Sequence, residues 1–322
     1  MTTAHHGIVL RAQSGLYIVL DETGTAECRA RRRLQRPSTD WPEFPVPGDE
    51  VEWGLLTGAS ARREGIIEAV RPRRSEISRS RFGSKHVMVA NLQQLIVVIA
   101  VRDPALNRGL LDRLLAVAER IAIRAVICFN KIDLAAPGEL DPVRSIYERA
   151  GYRVVSTSAA TLAGVEDLRA ELRGHTSAFM GPSGAGKSRL INALEPGLEL
   201  RTGDVSDKSR QGRHTTTRVD LHQTNFGALL ADTPGVRDFN AWQLTPLELR
   251  DLFPEFRPLQ ASCHYPTCVH AHEPDCTVQQ SVQDGNVDSS RYRSYLAMLN
   301  ELSEAQAGVD REGRRRKGRS DS

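Results

Sequence analysis

Gly181 to Ser188 reads GPSGAGKS and satisfies G-x-x-x-x-G-K-[ST] at every specified position. Glycines 181, 184 and 186 allow a loop whose successive N–H groups, with those of Pro182-flanked Ser183 and of Ala185, converge on phosphate oxygens. Lys187 would reach the β- and γ-phosphates, the Ser188 hydroxyl would ligate Mg²⁺, and Arg189 would open the helix behind them. Apolar Ser177-Ala178-Phe179-Met180 before the loop suits a buried strand, and Ser188 to Leu194 suits a helix stopped by Pro196-Gly197. The chemistry expected is binding of a nucleoside triphosphate.

A second stretch, Asn130-Lys131-Ile132-Asp133, follows the apolar run Ala125 to Phe129 and fits N-K-x-D. A carboxylate at Asp133 can accept from both guanine N1–H and the exocyclic amine. Adenine offers neither donor, so one residue can select GTP over ATP. Asn130, Lys131 and Ile132 would hold the loop and flank the base, and Ser158-Ala159 would support it through backbone. Asp232-Thr233-Pro234-Gly235 fits D-x-x-G: Asp232 would hold Mg²⁺ through water and the Gly235 N–H would sense the γ-phosphate. Between them, Gly212-Arg213-His214-Thr215-Thr216-Thr217 lies in a polar stretch suited to a switch. Thr216, chosen from three consecutive threonines, is the candidate second protein ligand to Mg²⁺.

These residues need elements to position them. Leu95 to Val101 is a continuous β-branched run expected for a strand covered on both faces. Leu110, Leu111, Leu114, Leu115 and Ala118 recur at helical spacing, and strand and helix patterns then alternate, which argues for an α/β domain with a parallel sheet. Ahead of it, short alternating runs at Gly7 to Leu10, Leu16 to Leu20, Pro47 to Trp53 and Gly65 to Val70 predict an OB-type β-barrel. Basic clusters at Arg29 to Arg36, read as a loop, and at Arg71 to Lys85 suit contact with an RNA backbone or, equally, a solvated charged face. Arg71 to Ser75 is expected to be the exit linker.

Downstream, Thr245-Pro246-Leu247-Glu248 forms a capping box opening a short helix to Phe253. Three of the five cysteines fall between positions 263 and 276 with His264, His270 and His272, a distribution that suits a metal site in a reducing compartment better than a disulfide framework. Tyr292, Tyr295, Leu296, Leu299 and Leu302 mark a helix packed on that site. Residues 309–322 hold six Arg/Lys against three Asp/Glu, which accounts for the net charge of +3. This tail is expected to be disordered and RNA-seeking. The chain has no apolar run of 18 residues and no apolar leader, so it reads as soluble, cytoplasmic, without a membrane partner and monomeric.

The order of the motifs is informative, because the guanine-reading stretch at 130 precedes the phosphate loop at 181, the reverse of the usual GTPase. Barrel, motif order, the GRHTTT stretch and the Cys/His cluster together resemble the circularly permuted GTPases, specifically the ribosome small-subunit-dependent GTPase A type, over nearly the whole chain. The resemblance implies a barrel over 1–75, a permuted GTPase domain over 83–241, a mainly helical zinc module over 242–308 and the tail. It assigns Cys263, Cys268, His270 and Cys276 to one structural Zn²⁺ through C-x4-C-x-H-x5-C, with Mg²⁺ accompanying GTP. It also implies the small ribosomal subunit and its rRNA as partners, subunit-stimulated hydrolysis, and a role in late maturation of that subunit. Val236 stands where many GTPases carry a water-orienting glutamine, and the resemblance proposes His214 for that task; contact with RNA is the other reading of His214. A GTP-binding rRNA scaffold without significant turnover is the alternative function, and a module coupled to the nucleotide through the short segment after Gly235 is the expected mechanics.

Overall fold

The computed structural model describes residues 4–35, 44–56, 63–81, 84–198, 219–232 and 244–317. Strands β1 (Ala4–Gln13), β2 (Leu16–Asp21), β3 (Gly24–Ala30), β4 (Glu50–Leu55) and β5 (Glu64–Val70) close into a barrel in the order β1-β2-β3-β5-β4. All pairs are antiparallel except β3 with β5, the arrangement of an OB-type barrel. Alternate residues Val9, Val19, Cys28, Val51, Trp53 and Ile67 fill the interior.

The strand β3 escapes the sequence pattern because its inward residues are the small Ala26, Cys28 and Ala30. Arg29 therefore lies in a strand and not, as expected, in a loop, and Arg32–Gln35 form a 3-10 turn. The second basic cluster is likewise partly spent inside the protein. Arg73 donates to both oxygens of the fully buried Asp49, at 2.8 and 2.9 Å, while Arg74 pairs with Glu50. A hairpin, β6 (Glu76–Arg81) with β7 (Ser84–Ala90), stands where the linker gives way to the next domain. Asn91 at its exit fastens it to the barrel, donating to the Gly48 carbonyl and accepting from the Arg74 N–H, both at 2.9 Å.

The central sheet contains β8 (Gln94–Ala100), β9 (Arg124–Asn130), β10 (Arg153–Thr157), β11 (Thr176–Met180), β12 (Leu221–Gln223) and β13 (Leu229–Asp232), in the order β10-β9-β8-β11-β13-β12. Only β12 runs antiparallel. Alternate residues of β8 serve opposite faces. Leu95, Val97 and Ile99 pack under α1 (Arg108–Arg120) and α2 (Asp141–Arg149). Ile96 and Val98 pack under α3 (Val165–Leu172) and α4 (Lys187–Leu194). Each such side chain contributes about 1.5–3 kcal/mol by leaving water, so the sheet is held rigidly from both faces.

Read from β11, the spatial order β12, β13, β11, β8, β9, β10 is that of one doubly wound sheet whose chain starts at β8 and ends at β13. The termini have moved and the layers are intact. Beyond it, α5 (Pro246–Arg250), α6 (Arg257–Gln260), α7 (Thr277–Gln283) and α8 (Ser289–Lys317) form the C-terminal module. The Thr245–Glu248 capping box opens α5, which ends at Arg250, short of Phe253. Phe253, Phe256, Val278, Tyr295, Met298 and Leu302 form the module's core. The backbone of α8 continues to Lys317, into the tail expected to lack structure. Extending an existing helix avoids the cost of nucleation, and Arg and Lys, both good helix formers, make up five of the nine residues 309–317.

Candidate functional site

Three strand ends converge at the carboxyl edge of the sheet, where a chain reversal between β8 and β11 leaves a crevice. After β11, residues Gly181, Pro182, Ser183, Gly184, Ala185 and Gly186 form the loop, and Lys187, Ser188 and Arg189 make the first turn of α4. Gly186 caps that helix in a left-handed conformation, φ +90°, and a Cβ there would stand 2.4 Å from Asn130 Nδ2. Only glycine serves this position, because both the backbone and the neighbouring loop exclude a side chain. Lys187 Nζ donates to the carbonyls of Gly181 (2.8 Å) and Pro182 (3.0 Å), so the ammonium already lies across the mouth of the loop.

Asn130, at the end of β9, joins the two motifs. Its Nδ2 donates to the Ala185 carbonyl at 2.9 Å, and its Oδ1 accepts from Thr157 Oγ1 at 3.2 Å and from the Ala159 N–H at 3.4 Å. Lys131 follows with φ +63° and donates through Nζ to the carbonyl of Asp103. Ile132 and Asp133 begin a 3-10 turn. The buried Ser158 hydroxyl donates to Asp133 Oδ1 and accepts from the Thr161 N–H at 3.1 Å, which fixes the carboxylate. Asp232 ends β13 level with Phe179 of β11, two residues before the phosphate loop. His214, Thr216, Gly235 and Val236 lie outside the described residues.

Two contributions were not visible beforehand. Thr157 orients Asn130 from inside β10, where its side chain reads as an ordinary strand residue. The segment 101–107, between β8 and α1, closes one side of the crevice through the Lys131 bond, and nothing in its composition signals that.

In the C-terminal module, the ligand atoms of Cys263, Cys268, His270 and Cys276 lie within 4.8 Å of one another. His270 Nδ1 faces the three sulfurs at 3.6, 3.3 and 3.4 Å. His264 and His272, the competing candidates, are not in this group. His270 takes φ +58°, a rare conformation held by its surroundings. Tyr292 donates to the His270 carbonyl at 2.6 Å, and Tyr295 donates to that of Val269. Glu273 accepts from the backbone N–H groups of Val269, Ala271 and His272, and Arg250 donates to the carbonyls of Pro266 and Cys268.

Burial pushes the Cys268 thiol up to about 12 and pulls His270 down to about 4. A neutral imidazole facing three cysteine sulfurs is a donor set that can hold a metal ion. By contrast, Cys28 and Cys128 are isolated and buried, with thiols pushed up to about 12 by desolvation.

The comparison with known proteins agrees with this geometry. A family model described as RsgA GTPase matches residues 70–242. The small ribosomal subunit biogenesis GTPase RsgA of Caldanaerobacter subterraneus subsp. tengcongensis is 38% identical over 300 residues, covering 92% of this chain and 96% of the relative. The crystal structure of YjeQ from Thermotoga maritima superposes with a TM-score of 0.76 at 34% identity, over 93% of this chain and 98% of that one. YloQ, described as a circularly permuted GTPase, superposes with a TM-score of 0.74 at 28% identity, over 94% and 96%. The matched family model spans more than half of the sequence and the relatives span nearly all of it, and the chain is therefore a member of the RsgA GTPase family in its circularly permuted form.

Proposed function

We propose that this protein hydrolyses GTP in contact with the small ribosomal subunit and couples nucleotide state to a late step in that subunit's maturation. The observation that carries the nucleotide site is the 2.9 Å bond from Asn130 to the Ala185 carbonyl, which joins the base loop to the phosphate loop despite their reversed order. The subunit comes from the relatives' names.

In this reading the N–H groups of residues 181–188 hold the phosphates, and Lys187 exchanges its two carbonyl partners for phosphate oxygens. Asp133, held by Ser158, reads guanine, while Lys131 and Ala159 flank it. Ser188, Asp232 and Thr216 are the residues that would hold Mg²⁺, which would supply positive charge against the charge that develops on the phosphates. His214 is the group assigned to orient water, Val236 having no polar atom for it, so hydrolysis by the isolated protein is slow. Contact with the subunit then raises the rate of hydrolysis.

The Cys263, Cys268, His270, Cys276 set suits Zn²⁺. Tetrahedral bonds of about 2.3 Å to sulfur and about 2.0 Å to nitrogen would imply S···N edges of about 3.5 Å. The 3.3–3.6 Å separations match this. Three sulfurs and one nitrogen leave no position for water, so the ion is structural.

GTP hydrolysis measured with and without purified small subunits, over a series of salt concentrations, tests the function. Stimulation that declines with salt is expected, because phosphate contacts are salt-sensitive. A rate unchanged by subunits would replace this reading with that of a GTP-binding scaffold.

A further inference from the structure

Helix α1 belongs to two cores. Leu111, Leu114 and Leu115 pack on the central sheet, whereas Ala116 is buried among the residues of the C-terminal module. Along its length α1 is also tied to the module by polar contacts. Arg108 lies 3.4 Å from the Ser290 hydroxyl, Arg113 makes two 2.8 Å bonds to Glu301, and Arg257 donates to Glu119 at 2.6 Å.

The centre of this seam is an ion pair out of reach of water. Arg291 of α8 donates through Nη1 to Asp112 of α1 at 2.6 Å, with the two side chains 2% and 1% exposed. Its remaining nitrogens, Nε and Nη2, bond Glu255 at 2.7 and 3.0 Å. The guanidinium also lies over the rings of Phe253, Tyr147 and Tyr152, with centroids at 4.8, 5.5 and 5.5 Å. A buried pair of this kind contributes little net stability but fixes geometry, since each charge tolerates only its partner's position.

The other end of α1 reaches the nucleotide site. Asn107 caps the helix by accepting the Leu110 N–H at 2.9 Å, and residues 101–107 lead back to β8. Within that segment the Val101 N–H donates to the Asn130 carbonyl at 3.0 Å, Arg102 makes two 2.8 Å bonds to Glu139, and the Asp103 carbonyl accepts from Lys131. Pro104 stands against the phosphate loop, where a Cβ on Gly184 would lie 3.3 Å from its Cδ. Module, α1, the 101–107 segment and both nucleotide-binding loops thus form one unbroken run of packed contacts.

We propose that the Asp112–Arg291 pair is a positioning device for the nucleotide site: a docked module fixes α1 and, through the 101–107 segment, the phosphate loop and Lys131, so that guanine-nucleotide affinity depends on docking. This rests on the assignment of residues 130–133 and 181–188 to the nucleotide. Neither Asp112 nor Arg291 touches that site. The coupling is independent of the chain segment after Asp232, and by linkage the nucleotide must tighten the module in return.

The test uses the full-length protein. Arg291→Met, Arg291→Lys, Asp112→Asn and the double variant Asp112→Asn/Arg291→Met are titrated with a fluorescent GDP analogue, and hydrogen exchange of residues 289–302 is followed with and without GDP. Arg291→Met is expected to weaken GDP about tenfold, within the usual span of coupling between sites. The KM for GTP should rise with it while kcat changes less than twofold, Arg291→Lys should recover part of the affinity, and GDP should no longer slow exchange in α8.

Arg113→Ala with Arg257→Ala, which loosens the same seam at exposed positions, should shift GDP affinity in the same direction by a smaller factor and serves if the buried variants do not fold. Variants whose α8 exchanges freely while GDP affinity equals that of the parent protein would overturn the coupling. A parent protein that binds no GDP would overturn the site assignment beneath it.

Discussion

Replacing Asp133 with Asn should convert a guanine site into a xanthine site. The Ser158 hydroxyl donates to Asp133 Oδ1, so an asparagine retains that bond through its amide oxygen and presents its NH₂ where the second carboxylate oxygen stood. Two guanine donors then face one acceptor and one donor. Hydrogen bonds to an ionised group contribute about 1.5–3 kcal/mol each, and since Asp133 is exposed the lower figure applies to both. One bond is lost and the other becomes a neutral bond worth about 1 kcal/mol, so the loss is about 2 kcal/mol, or roughly 30-fold in affinity at 1.4 kcal/mol per tenfold. Xanthine carries a carbonyl in place of the amine, which the new NH₂ can bond, so XDP should regain most of what GDP loses. Competition of GDP and XDP against a fluorescent nucleotide, on parent and variant, measures both shifts. If Asp133→Asn bound GDP as tightly as the parent with no gain for XDP, the carboxylate would not be reading the base and the site would be one for nucleotides in general.

Replacing Cys268, which is 1% exposed, with Ser should cost the chain the metal ion proposed for the Cys/His cluster. Metal analysis and hydrogen exchange check this: the amides of residues 263–283 should lose protection while those of the barrel keep theirs, and full metal content would refute the site. Because the metal must hold ionised a thiol pushed up to about 12, acidification should release it, with affinity falling steadily as pH drops. In the barrel, the Arg63 hydrogen bonds hold the Asp21 carboxyl below its usual range. Its stabilisation is therefore complete above about pH 4 and is lost as pH falls through the depressed value. Asp21→Asn should lower barrel stability at pH 7 and flatten its dependence on acid, as read by denaturant midpoints at pH 7 and pH 3.

The loops proposed for the nucleotide and the Cys/His cluster stand out in the sequence because residues that touch a ligand of fixed chemistry have type and spacing fixed together. Gly186 illustrates it: the motif demands glycine, and the fold shows the neighbour, Asn130, that makes any other residue clash. What could not be read depends on partners far apart in the chain. Arg73 looks like a cation for RNA until Asp49 is found beside it, and Arg291 looks like one more arginine of a charged helix until Asp112, 179 residues away, accepts a hydrogen bond from it. Strand β3 was hidden for a different reason. Its interior face is built from Ala26, Cys28 and Ala30, which fill a narrow part of the barrel without producing an apolar alternation.

The permuted order also explains where the accessory parts attach. In a sheet of this spatial order the strand after β13 would be β8, and the break in the chain falls between them. The barrel and hairpin therefore precede β8, and the module follows β13, so both grow from the position that permutation opened. The module's attachment adjoins the candidate nucleotide loops, because Asp232 ends β13 at the carboxyl edge of the sheet, whereas the barrel and hairpin enter at Gln94, the start of β8, on the opposite edge. A domain attached at the carboxyl edge needs few intermediates to sense the bound nucleotide. The module has two routes, the segment after Asp232 and the fastened helix α1. The first is a covalent tether whose influence depends on its own order, whereas the second works through packed side chains and persists whatever the tether does.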